Sequence, residues 1–243
     1  MRSKNIKKIA VVTGAGHRLG KTLAYFLARK GYSILLHYNS SANQAQELSE
    51  LIKKEGVDVF LYKADLIDPM QIGNMWEFIK SLPFELEILI NSAAIMIQSD
   101  IQSLSYSEFD ETIGLNLRAP LFCSKEASKC MAPGGLIINI SDIGAGKNWV
   151  RYPIYTISKS SLEVLTRLMA KALAPNIRVN AIAPGLVLPP DSGDEMAWEH
   201  LEAKVPLKRV AMLEEITSAV EFLLTNKYIT GQVIAIDGGY SLL

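Results

Sequence analysis

Cysteine is nearly absent from this chain: Cys123 and Cys130 are the only two in 243 residues. They stand on a stretch that reads as helix, about 10 Å apart along its axis, too far for an easy disulfide. A disulfide framework is therefore excluded, and both thiols read as core residues. Histidine is equally scarce. His17, His37 and His200 are scattered, with no Cys or His clustering of the kind zinc requires. Excess charge of either sign is also missing, since Lys plus Arg number 25 and Asp plus Glu number 25. No basic footprint for nucleic acid or an anionic membrane surface results. The basic start (Arg2, Lys4, Lys7, Lys8) runs into the apolar stretch 9–12, too short for a signal peptide core or a membrane span. A soluble cytoplasmic protein is expected.

What the chain does have is a core's worth of apolar residues, 49% against 21% charged, which suits one large α/β domain over 1–243. Strand-like runs at 9–13, 32–38, 57–64, 87–91, 135–141, 177–183 and 232–236 alternate with helical patterns at 19–30, 43–54, 69–81, 106–131 and 154–173. Such alternation predicts a parallel, doubly wound (Rossmann) sheet covered on both faces. Its ligand crevice should lie outside the carboxyl ends of the strands. The one interruption, 185–208, carries Pro189, Pro190, Pro206 and Trp198, with a helical stretch at 196–204. A segment this long reads as a substrate lid, with an inert surface excursion as the alternative.

Between the first strand and first helix stands Thr13-Gly14-Ala15-Gly16-His17-Arg18-Leu19-Gly20. Small residues there let backbone approach a pyrophosphate, and a helix N-terminus favours its charge. An NAD site would have a carboxylate after the second strand to hold the ribose 2′-hydroxyl. Here the chain reads His37-Tyr38-Asn39-Ser40-Ser41. With Arg18 in the turn and hydroxyls at Ser40 and Ser41, NADP(H) is the cofactor favoured. Arg18 also reads as a solvated helix-start residue, and the serines as caps of the next helix.

The chemistry concentrates at Asp142, Tyr155 and Lys159. Tyr155 and Lys159 are one helical turn apart and share a face, so the ammonium can draw the phenol down from a pKa of about 10. Tyr155 then reads as the proton donor to a carbonyl or imine under hydride attack. Asp142 adds a carboxyl group, a second proton source if burial raises its pKa. The plainer alternative is a loop carboxylate that caps backbone amides.

Together with Asp65-Leu66, Asn91-Ser92-Ala93-Ala94, Asn116, Pro184-Gly185 and Asp237-Gly238-Gly239, these motifs make the chain resemble the short-chain dehydrogenase/reductase family over its length. The resemblance implies a seven-stranded sheet and, commonly, a homotetramer. It implies a cofactor bed of Gly14, His17, Arg18, Leu19, Tyr38, Asn39, Ser40, Ser41, Asp65, Leu66, Asn91, Ser92, Ala93, Tyr155, Lys159, Pro184 and Gly185. Asp65 and Leu66 would border the adenine, and Asn91 to Ala93 the nicotinamide ribose side. Asn116 would hold a water in a relay to Lys159, the fourth catalytic position.

Two departures from the bulk of the family, Arg18 for a glycine and Asp142 for the catalytic serine, look like its pteridine reductase branch. That branch implies reduction of a pterin or folate C=N bond, with Arg18, Ile95, Asp142, Tyr155, Leu186 and Trp198 around the substrate. Ile95 stands where the branch tends to place an aromatic that stacks on the pterin, and Met96 or Trp198 offers an apolar face instead. The rival readings are a carbonyl reductase, for instance of 3-oxoacyl thioesters, and a dinucleotide-sensing protein on a retained reductase fold.

Overall fold

The computed structural model describes residues 7–189 and 195–243. Pro190, within the segment read as a lid, lies outside the described residues. The β-branched run at the start forms β1 (Lys8–Thr13), which leads through the glycine turn into α1 (Arg18–Arg29). The chain continues as β2 (Ser33–Tyr38), α2 (Ala42–Lys54), β3 (Val59–Lys63), α3 (Pro69–Ser81) and β4 (Glu85–Asn91). Then follow α4 (Tyr106–Ile113), a π-helical turn (Gly114–Arg118), α5 (Ala119–Ser128), β5 (Met131–Ile140), α6 (Gly144–Lys147) and α7 (Pro153–Leu173). The last elements are β6 (Ile177–Pro184), α8 (Glu195–Lys204), α9 (Leu213–Thr225), β7 (Val233–Ile236) and a 3-10 turn (Tyr240–Leu242).

All seven strands pair in parallel, in the order β3-β2-β1-β4-β5-β6-β7. Successive strand residues face opposite sides. Val12, Ile34, Ile90 and Ile138 therefore pack under α1, α2 and α9, while Val11, Leu35, Leu89 and Ile137 pack under α3, α5 and α7. The order reverses between β1 and β4, which opens the crevice expected at their carboxyl ends. Pairing of Thr13 with Asn91 brings the glycine turn and the loop after β4 side by side at that point.

The structure differs from the sequence reading at the helical region before β5 and at α9. The helical region expected at 106–131 divides at the π turn, and Met131 already belongs to β5. Gly114 and Asn116 are weak helix formers, and the wider turn lets Asn116 face inward, fully buried. Cys130 accordingly lies past the end of α5, leaving Cys123 alone on the helix. Helix α9 has no counterpart in the sequence reading. Its N-cap is Met212 rather than a short polar residue, and Glu215 supplies the missing cap by accepting from the Met212 N–H at 2.8 Å.

Candidate active site

The crevice floor is built by backbone. Thr13 Oγ1 accepts from the Ser92 and Ala93 amides at 3.0 and 3.1 Å and staples the turn to the loop after β4. Gly14 has φ +64°, and a methyl built on it would lie 2.7 Å from Ala93 Cα. One on Gly16 would meet Ser41 Oγ at 1.9 Å, and one on Gly20 would meet the Gly14 carbonyl oxygen at 2.2 Å. The turn is therefore pressed flat against its surroundings. His17 occupies the N-cap of α1 without a side-chain cap bond, so amides of the first turn remain for an anion. This cradle fits a dinucleotide pyrophosphate over the amino end of α1, beside Leu19.

Arg18 sits at φ +51°, a left-handed conformation that costs a non-glycine residue about 1 kcal/mol. Its guanidinium reaches across the crevice and donates to the Leu188 and Pro189 carbonyls at 3.1 and 2.9 Å. The side chain heads for the loop after β6, whereas Ser40 and Ser41 lie after β2, on the other side of β1. Ser41 is the N-cap of α2 but makes no side-chain cap bond, and its hydroxyl faces Gly16. Asn39 and Ser40 are exposed beside it, next to the partly buried Tyr38. Asp65 accepts from the Ile67 amide at 2.9 Å in a tight turn, and Leu66 is buried beneath it.

His37 had no role in the sequence reading. Its Nδ1 accepts from the Gly14 amide at 3.0 Å and its Nε2 donates to the Ala64 carbonyl at 3.0 Å. Burial pushes its pKa down to about 4. A neutral imidazole thus pins the glycine turn to the end of β3. Strand alternation points residue 37 inward, and only the packed sheet shows what it meets.

At the opposite wall, Asp142 follows β5 and Tyr155 and Lys159 lie on α7. Tyr155 donates to Asp142 Oδ2 at 2.9 Å, and the Gly144 amide donates to Asp142 Oδ1 at 2.6 Å. The carboxyl group thus both caps a backbone amide and meets the phenol. Burial raises the Asp142 pKa, against the Gly144 amide, Lys159 and Tyr155, which all lower it. Lys159 donates to the Ile140 carbonyl at 2.8 Å, with its ammonium 5.6 Å from the Tyr155 ring centre. Burial lowers Lys159 to about 8, opposed by Asp142. The expectation that Lys159 draws the phenol toward neutrality does not hold here. Burial and the neighbouring Asp142 push Tyr155 well above 10.

Asn116 is clamped beside α7, in the π-helical turn. It accepts from the Ile95 amide at 2.9 Å and donates to the Ile95 carbonyl and Ser158 Oγ at 2.8 and 3.1 Å. Its side chain therefore positions Ile95 and α7 directly. Asn91 spends its amide inside the protein, donating to Ser124 Oγ and Asn139 Oδ1 at 3.0 and 2.8 Å, and leaves the crevice to the Ser92 and Ala93 backbone. Among the described residues no helix is long and apolar enough to cross a membrane, and no group of His, Cys, Asp or Glu could hold a metal ion.

A family model described as enoyl-(acyl carrier protein) reductase matches residues 14–241. The 3-oxoacyl-(acyl carrier protein) reductase FabG of Staphylococcus aureus is 32% identical, the match spanning 96% of this chain and 97% of that one. The chain is a short-chain dehydrogenase/reductase. The Escherichia coli oxidoreductase YgfF is 30% identical over 95% of this chain and 99% of its own. The structure of FolM alternative dihydrofolate reductase 1 from Brucella canis, complexed with NADP, superposes with a TM-score of 0.92 at 30% identity, covering 98% of this chain and 94% of that chain.

In this short-chain dehydrogenase/reductase, Pro184 and Gly185 close the end of β6. The Ile143 amide donates to the Pro184 carbonyl, and a methyl on Gly185 would lie 2.9 Å from Asp237 Cα. Leu186 packs with Ile143, Ala183, Val205 and Tyr240. The structure does not bring Trp198 to the same point: it lies partly exposed on α8, outside that cluster. Trp149 takes the nearer position and had no role in the sequence reading. A methyl on Gly144 would lie 2.7 Å from its Cζ3 and 3.0 Å from Asp142 Oδ1. The only sequence signal was a tryptophan inside the short interval between Asp142 and Tyr155.

Proposed function

We propose that this oxidoreductase reduces the C=N bond of a dihydropterin or dihydrofolate with NADPH. The observation that carries the reading is Asp142, a carboxyl group hydrogen-bonded to the catalytic phenol where a simple ketone reductase of the family has a hydroxyl. The FolM neighbour, with NADP in its structure, supports both the cofactor and the substrate class. Gly14, His17, Leu19, Asp65, Leu66 and the Ser92–Ala93 backbone would hold NADPH, with Tyr38, Asn39, Ser40 and Ser41 at the 2′-phosphate, where no carboxylate opposes it. Lys159 would hold the ribose, with Pro184 and Gly185 beside the nicotinamide, while Arg18, Ile95 and Leu186 border the substrate.

Bound NADPH supplies the hydride. Tyr155 and Asp142 supply the proton as a coupled pair, since burial favours the protonated form of each group. The Gly144 amide holds the carboxyl in place, and the Lys159 charge stays within reach of both partners. The pair suits a pterin because the nitrogen next to the reduced carbon accepts the proton. The family also leads us to expect a cytoplasmic homotetramer, with the outward apolar residues of α5 and α7 supporting assembly.

A second reading, reduction of a 3-oxoacyl thioester, is favoured by the aliphatic Ile95 and by the FabG relative. NADPH oxidation separates the two, since turnover with dihydrobiopterin, dihydromonapterin or dihydrofolate supports the first and turnover with an oxoacyl thioester alone overturns it. Asp142→Ala should lower kcat at least tenfold while leaving the NADPH Kd within about twofold. Undiminished turnover would remove the proton role.

A further inference from the structure

Position 95 lacks an aromatic residue, but an indole lies beside Asp142. Asn148, at φ +53°, turns the chain out of α6 and delivers Trp149 back toward the loop that carries Asp142. The ring edge and the Asp142 carboxylate both lie about 3 Å from the same point above Gly144 Cα. Only a glycine leaves that point open, so the absence of a side chain at Gly144 is what lets the indole approach the acid. Tyr152 braces the indole edge-on, with ring centres 6.3 Å apart and planes at 66°. The Tyr152 amide donates to the Trp149 carbonyl at 3.0 Å and fixes the backbone.

The same stretch is tied to its neighbour. The Ser99 amide donates to the Arg151 carbonyl at 3.1 Å, so the loop that follows Ile95 and the loop that carries Trp149 are joined after the adjacent strands β4 and β5. Trp149 is partly buried against the cluster of Ile143, Ala183, Val205 and Tyr240, and retains exposed surface. An indole held at its edge beside a carboxyl group is a surface for a flat ring that also offers a hydrogen-bonding nitrogen. A flexible acyl chain gains no comparable benefit from it.

We propose that Trp149 is a specificity-determining residue of this enzyme, its indole forming the aromatic wall for a flat heterocyclic substrate in place of the aromatic that position 95 lacks. The inference deepens the pterin reading and rests on it. It assigns the wall to Trp149 instead of Trp198, and it explains how a site with Ile95 still holds a planar ring.

The test uses the NADPH-loaded full chain and the variants Trp149→Leu, Trp149→Phe and Trp198→Leu. For Trp149→Leu the expected result is a rise of about tenfold in KM for dihydropterin, with a much smaller change in kcat. The ratio of kcat/KM for dihydropterin over that for an oxoacyl thioester should fall by a similar factor. Trp149→Phe should retain most of the ratio, and Trp198→Leu should change it less than Trp149→Leu. An equal loss with both substrates, or a loss confined to kcat with a displaced pH profile, would overturn the inference by showing that the indole only positions Asp142. If the wild type reduces no pterin, the functional reading fails by itself. The indole is then judged by titrating a naphthol into the NADP-loaded wild type and Trp149→Leu: weaker binding to the variant sustains the aromatic wall, and equal affinity overturns it.

Discussion

His37 shows how one side chain can decide the pH range of a cofactor site. Its neutral ring bridges the Gly14 amide and the Ala64 carbonyl, and burial holds its pKa near 4 against an ordinary 6.5. Above pH 6.5 both folded and unfolded chains carry a neutral imidazole. Below it the unfolded chain takes up a proton first. Stability should therefore fall by about 1.4 kcal/mol per pH unit from this residue alone as the pH drops toward 4. Urea midpoints measured between about pH 7 and pH 4 should show the slope, and His37→Gln should flatten it at some cost in stability at neutral pH. Nothing in the sequence gives His37 this role, because its partners come from the turn after β1 and the end of β3. Asp142, Tyr155 and Lys159 were legible because α7 and one loop bring them together. Their protonation balance was not, since it depends on burial.

Among the elements, the glycine turn and the end of β2 are the two that we propose divide the work of cofactor binding. The turn was readable from its motif, but not that Arg18 would adopt a left-handed conformation and reach the loop after β6. That direction is set by tertiary structure. It predicts that Arg18→Ala affects NADPH and NADH to similar extents, because the side chain is engaged by the Leu188 and Pro189 carbonyls. Asn39→Asp should behave differently. A carboxylate there repels the 2′-phosphate and accepts from the ribose hydroxyl. NADPH affinity should fall at least tenfold while NADH affinity holds or rises, as measured by fluorescence titration of each cofactor. Helix α9 and the π turn were unreadable for a local reason: an N-cap without a short polar side chain in one and two weak helix formers inside the other.

For the whole molecule, the alternation of strand and helix was enough to read a parallel sheet with its crevice at the carboxyl ends of the strands. Strand order and the facing of each apolar residue needed the structure. The surface leaves a separate mark. Ile157, Val164 and Leu168 stand exposed on one face of α7, with Leu121 and Phe122 exposed on α5. Sedimentation should give a particle several times the 26.8 kDa chain, and Leu168→Glu should reduce its mass without abolishing the fold. An unchanged mass would place the contact elsewhere.

Lys147 has a practical consequence. It donates to the carbonyls of Tyr240 and Leu243 at 2.9 and 3.1 Å, its ammonium resting 4.6 Å from the Tyr240 ring centre. Lys147 closes the short helix that begins two residues after Asp142. A purification handle or fluorescent fusion joined after Leu243 would pull on the mooring that steadies the acid. Kinetic work on this enzyme is therefore best done with nothing attached there.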